Sequence, residues 1–168
     1  MKFKNMFSPI QIGPMTVKNR FVVPPMGNNF ANSDGTWSDE SVAYYGERAK
    51  GQFGLITIEA TVVHKGAKGG PKKPCLYDDN SIESLKKITD ACHEEGAKVS
   101  IQLQNAGPEG NAKNAGAPIQ AATAIASADG RDIPEEVSTE KVYELVKGYG
   151  EAACLLYTSP SPRDRSLS

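Results

Sequence analysis

Apolar and polar positions alternate over residues 10–12 and 15–17 around Gly13 and Pro14, a pattern that predicts a short hairpin. Phe21, Val22 and Val23 then form an apolar run that Pro24 and Pro25 stop, because neither proline can donate to a sheet ladder; this is the first strand of the main series. A polar loop over 27–36 follows. Ser38 is placed to cap a helix with Val42, Tyr45 and Ala49 on one face, ending near Lys50 and Gly51. Residues 54–59 are a β-branched run without strict alternation, as expected of a strand covered on both sides. After a Gly- and Lys-rich loop over 64–74, Asn80 with Glu83 three positions on predicts a capping box. It opens a helix with Ile82, Leu85, Ile88 and Cys92 inward and Gly96 at its end. Residues 98–103 read as a third strand and 104–137 as another long loop. Ser138 then caps a helix carrying Val142, Leu145, Val146 and Tyr149 at helical spacing.

A hairpin followed by three strand-loop-helix units, with right-handed crossovers, is a parallel α/β layout. In each unit the long polar segment follows the strand and the return link is short, so the three strands, ending at Val23, Glu59 and Leu103, aim their C-terminal ends at one loop-rich face. Barrel and open-sheet enzymes build their sites on that face. The segments after the first two strands contain no GxGxxG or GxxxxGK[ST], so neither a Rossmann fingerprint nor a P-loop is present there.

Composition narrows the partners. With 19 Lys and Arg against 20 Asp and Glu in 168 residues, there is no electrostatic footprint for nucleic acid or an anionic membrane. No apolar run reaches the roughly 20 residues of a membrane span, and the N-terminus lacks the apolar core of a signal peptide. A cytoplasmic protein is expected. Cys75, Cys92 and Cys154 are odd in number and widely spaced, which predicts free thiols and no metal site. His64 and His93 read as surface residues, Glu59 as a loop organiser, and Lys65, Lys68, Lys72 and Lys73 as a solvated loop.

From Cys154 onward the chain turns into a Ser, Pro and Arg string, and residues 154–164 resemble the translation of an adapter used in sequencing libraries. Two segments follow from this: 1–153 as native sequence and 154–168 as a non-native tail in which the last helix is broken off.

Within 1–153 an ordered set of motifs resembles the N-terminal part of the Old Yellow Enzyme family, in particular its bacterial NADH:flavin oxidoreductase branch of enoate and dienoyl-CoA reductases. The set is Phe-Ser-Pro-Ile-Gln-Ile-Gly at 7–13, Val-Lys-Asn-Arg at 17–20, Pro-Pro-Met at 24–26, Tyr45 with Arg48-Ala49, Gly-Leu-Ile at 54–56, Glu59-Ala60, and Gln102-Leu103 with Ala106-Gly107. The resemblance implies the N-terminal portion, a hairpin plus about three βα units, of a TIM (β/α)8 barrel. It also implies FMN across the C-terminal ends of the strands, NADH or NADPH as reductant, and a small-molecule unsaturated carbonyl compound as substrate. Pro25, Met26 and Gly27 are expected to approach the flavin with their backbone, and Ala60 to offer an N–H. Gln102 is expected to match the ring's pyrimidine edge with both donor and acceptor, a buried amide that would otherwise lack partners.

Two positions depart from the family's pattern. Gly27 stands where Thr or Cys is common, removing a side chain that reaches the flavin, and Asn-Ala-Gly-Pro at 105–108 replaces His-Ala-Gly-Arg. The substrate-activating pair and the proton donor are expected in a part of the barrel beyond Ala153, because three of eight units are present and such barrels run to about 250 residues. The chain alone is therefore expected to be inactive and to retain no FMN. A small non-catalytic βα binding module and a non-flavin barrel lyase are the alternatives; the latter lacks a Schiff-base lysine at a strand end, since Lys98 begins its strand.

Overall fold

The computed structural model describes residues 3–128 and 132–158, apart from the side chains of 157 and 158. The predicted hairpin is present as β1 (Ile10–Ile12) and β2 (Met15–Val17), antiparallel with Ile10 opposite Val17. The main sheet is parallel in the order β3-β4-β5, built from β3 (Val22–Val23), β4 (Leu55–Val62) and β5 (Lys98–Gln104). Helix α1 (Asp39–Lys50) joins the first pair and α2 (Ile82–Glu94) the second, as right-handed βαβ logic demands. β5 is an edge strand among the described residues.

Residues paired across parallel strands share a face, and the two faces differ in chemistry. Ile56 pairs with Val99 and Ile58 with Ile101, and these side chains join Tyr45, Ala49, Leu85, Ile88 and Cys92 in one core under the helices. On the opposite face Thr57 pairs with Ser100, their hydroxyls 2.8 Å apart. β4 is covered on its helix side at Ile56 and Ile58, while its other face is half-buried at Leu55 and Thr57; from Ile58 on, Glu59, Thr61 and Val62 are all buried, so the two-sided cover its sequence predicts is reached toward its C-terminal end.

Several boundaries differ from those read along the chain. β3 keeps only two residues because Pro24 and Pro25 end its pairing. β4 runs on to Val62, three residues past Glu59, through a register shift between Ile58 and Thr61. Asn80 does not cap α2: a 3₁₀ turn, Asp79–Ser81, precedes the helix, and the Asp78 carboxylate accepts the Asn80 N–H at 3.1 Å. Ser38 does cap α1, accepting the Ser41 N–H.

The second long loop carries its own short elements, α3 (Ala112–Ala115) and the two-residue strands β6 (Gln120–Ala121) and β7 (Glu135–Glu136), which pair with each other. Ser138 caps α4 (Thr139–Thr158), its hydroxyl accepting the Lys141 N–H. This helix continues past Ala153 rather than stopping there, because Leu155 and Leu156 still pack on the core. Residues 159–168 of the predicted tail lie outside the described residues. Val142 and Val146 are exposed, and the helix instead faces the core with Tyr149 and Ala152.

Candidate functional site

β4 and β5 end together at Val62 and Gln104, while β3 stops pairing at Val23 opposite Ile56 and the segment after it runs on to meet Glu59 through Asn28, so the chain turns past the strands share one mouth. Pro25, Met26 and Gly27, just past β3, are all exposed there. Ala60 lies in the stretch where β4 slips register, with Glu59 and Ala60 together facing Gln102 between the pairs Ile58–Ile101 and Thr61–Leu103. Two residues opposite one is the geometry of a β-bulge, a device that re-aims side chains at strand ends. Gln102 is exposed, so the expectation that it is a buried amide in need of partners does not hold: β5 is an edge strand, and the face carrying Ser100 and Gln102 is not covered. The sheet thus brings all five residues to one end of three adjacent strands.

Beneath them sits a carboxylate. Glu59 is fully buried; its Oε2 accepts the Asn28 N–H at 3.2 Å, its own N–H is donated to the Tyr45 hydroxyl at 2.9 Å, and its carbonyl accepts from Thr61 Oγ1 at 2.8 Å. It organises the loop after β3, as its sequence position suggests. Two buried polar atoms of this pair, Glu59 Oε1 and Asn28 Nδ2, have no partner. Burial pushes the Glu59 carboxyl above its ordinary 4.5, against the pull of the Asn28 N–H, the Lys73 ammonium and the Tyr45 hydroxyl.

That shift has a sign that can be measured. A carboxyl whose folded value is raised lends stability in full below 4.5 and loses it as pH rises through the folded value. Glu59→Gln keeps the acceptor for Asn28 and cannot ionise. Its stability relative to the wild type should therefore grow as pH is raised from about 4 to about 8, read as the difference between denaturant midpoints. A difference that is flat or shrinks over that range contradicts the burial of Glu59.

The lysine loop is not uniformly solvated. Lys68 is buried and donates to the Ser33 carbonyl at 2.9 Å, tying two loops together, while Lys65 and Lys72 are exposed. Lys73 reaches into the mouth: a Cβ placed on Gly27 would stand 2.8 Å from its Nζ and 3.8 Å from Glu59 Oε2. Reading motifs along the chain missed this meeting, because it depends on how the loop after β4 folds back. His64 and His93 are half-buried rather than surface residues. His64 caps a 3₁₀ turn (Lys65–Ala67) with its Nδ1 accepting the Gly66 N–H, and burial lowers its pKa. Cys75 and Cys92 are buried free thiols and Cys154 is an exposed one. Among the described residues no three His, Cys, Asp or Glu converge on a metal position, and no helix is long and apolar enough to cross a membrane.

Comparison with known proteins gives a consistent picture. The profile of the NADH:flavin oxidoreductase / NADH oxidase family matches residues 5–157. The chain is 36% identical over 151 residues to an NADPH dehydrogenase of Bacillus subtilis (strain 168), covering 89% of this chain and 44% of that protein. Among solved structures it superposes on a 2-naphthoyl-CoA reductase in complex with 2-naphthoyl-CoA with a TM-score of 0.86 and 28% identity, covering 94% of this chain and 26% of the other. It superposes on an Old Yellow Enzyme from Pichia sp. AKU4542 at 0.83 and 29%, covering 92% and 43%. The chain therefore spans less than half the length of each of these relatives. The hairpin and the three βα units correspond to part of their (β/α)8 barrel.

Proposed function

The chain belongs to the NADH:flavin oxidoreductase / NADH oxidase family, and from that membership we propose that it is the N-terminal portion of an FMN-dependent oxidoreductase that reduces activated alkenes such as enoates or enoyl thioesters. When bound, FMN would take a hydride from NADH or NADPH, two electrons and one proton, and pass it to the alkene carbon β to the carbonyl. The observation that carries this reading is the convergence of Pro25, Met26, Gly27, Ala60 and Gln102 at the C-terminal ends of three adjacent parallel strands.

The residues present suit the cofactor. Gly27 adds no side chain of its own, Ala60 adds little bulk in front of its own amide, and Gln102 offers donor and acceptor together. Buried Glu59 holds Asn28 and so fixes where the loop after β3 leaves the strand. Substrate activation and proton delivery belong, in this proposal, to residues outside this chain, which alone neither retains FMN nor oxidises NADH.

Reading the source DNA past the codon for Ala153 and expressing the whole reading frame tests the proposal. The expected product is yellow, oxidises NADH or NADPH, and reduces an enoate. A colourless product, or a monodisperse yellow NADH-oxidising protein from the 168-residue chain itself, contradicts it. In the whole protein Gln102→Ala should weaken FMN binding about tenfold, the worth of one to two hydrogen bonds, measured by fluorescence titration of the apoprotein. Unchanged affinity removes Gln102 from the site.

A further inference from the structure

Lys73 enters the mouth from a firmly tied segment. Val62 donates to the Pro74 carbonyl at 2.8 Å and Leu76 to the Val62 carbonyl at 2.7 Å, so the residues just after Lys73 run beside the end of β4 as one more stretch of parallel pairing. From that anchor the lysine side chain extends until its ammonium occupies the space in front of the Gly27 Cα, where any other residue at 27 would put its own Cβ. A glycine is what lets a cation lie against this backbone.

Its charged neighbour is Glu59, whose Oε2 accepts the Asn28 N–H and whose carboxyl feels the Lys73 ammonium through space while burial opposes its ionisation. Lys68 is occupied with Ser33 and Lys65 and Lys72 are exposed, so Lys73 is the lysine of this loop whose ammonium stands at Gly27.

Resting on the FMN reading above, we propose that Lys73 is a flavin-tuning residue: its ammonium, lodged at Gly27, stabilises the negative charge left on the ring after reduction and so raises the reduction potential. The balance is simple. NAD(P)H gives up a hydride and becomes NAD(P)⁺; the ring gains two electrons and one proton, hence one net negative charge. A fixed cation beside it favours the reduced state over the neutral oxidised one, and does so more strongly where water is excluded.

The test uses the FMN-loaded protein of the whole reading frame, equilibrated with a reference redox dye. Lys73→Met should lower the ratio of reduced to oxidised flavin about tenfold, or about 30 mV for a two-electron couple. By linkage, affinity for reduced FMN falls by the same factor while affinity for oxidised FMN stays within about twofold. Lys73→Arg keeps the charge and the ratio.

Gly27→Ala pushes the flexible ammonium out, because its Cβ would come within 2.8 Å of Nζ. It should shift the ratio in the same direction and add nothing to Lys73→Met, since both remove one interaction. A wild-type ratio in Lys73→Met and Gly27→Ala overturns the proposal, as does equal weakening of both FMN states, the mark of a merely structural role. If Lys73→Met does not fold, Gly27→Ala decides alone. A whole protein that binds no FMN refutes the FMN reading itself, an outcome distinct from a flavoprotein indifferent to Lys73.

Discussion

Replacing Gly35 by alanine is expected to cost about 2–6 kcal/mol of stability. Gly35 has φ +95°, a conformation that costs an L side chain about 1–3 kcal/mol. It is also packed shut: an added Cβ would lie 2.7 Å from Cys75 Sγ and 2.8 Å from Cys75 Cβ, and forcing atoms into such a space costs about 1–3 kcal/mol more. The surroundings cannot easily give, because the Gly35 carbonyl accepts the Cys75 N–H at 2.8 Å and its N–H is donated to the Asn32 carbonyl at 3.0 Å. Trp37, the single tryptophan and buried, reports on this region by fluorescence in dilute denaturant titrations. Cys75→Ala removes the nearer of the two clashing atoms, so the double variant should recover part of the loss but not the backbone strain. A loss under about 1 kcal/mol for Gly35→Ala would mean that the loop bearing Gly35 is not locked to Cys75.

Tyr45→Ala should be comparably severe. The ring is 1% exposed and meets Tyr44 edge-on at 5.1 Å, and truncating a buried aromatic costs about 3–5 kcal/mol. The hydroxyl has a separate task, accepting the Glu59 N–H at the point where β4 begins to bulge. Tyr45→Phe isolates it. That variant keeps the packing, strands the Glu59 amide and should cost about 1–3 kcal/mol. Burial pushes the phenol's pKa up, so the hydroxyl itself stays neutral over the neutral range. Denaturant midpoints of the two variants, read by Trp37 fluorescence, separate ring from hydroxyl. A Tyr45→Phe protein as stable as the wild type would show that the Glu59 amide finds another partner.

The order of elements and the face that carries the mouth are legible in the residue pattern because they rest on local signals. Ser38 and Ser138 cap where hydroxyls precede amphipathic runs, and Leu85, Ile88 and Cys92 fall inward at helical spacing. What was not legible depends on distant contacts. Asn80 is drawn into a 3₁₀ turn capped by Asp78, and Ser81, which precedes α2, makes no side-chain cap. β4 outruns its predicted end because Leu103 and Gln104 pair with Thr61 and Val62 once the bulge has absorbed a residue. Gln102 lies near the end of β5 where the residue pattern puts it, but its exposure follows from β5 being an edge strand among the described residues, which no local pattern reports. Lys73 gave no signal at all: a lysine in a lysine-rich loop looks the same whether it is solvated or folded back onto a glycine 46 positions earlier, and only the glycine hints at a vacancy.

The unpaired side of β5 has a consequence in time rather than in energy. Lys98–Gln104 offers seven residues of extended backbone with pairing satisfied on the β4 side only, among the described residues. Such an edge is a template for any extended strand that reaches it. The rate of that encounter rises with the square of concentration, whereas an intramolecular partner arrives at a fixed rate. A separate molecule of this chain therefore has a lifetime set by dilution, and a strand supplied within the same chain would decide the competition before a second copy can enter it.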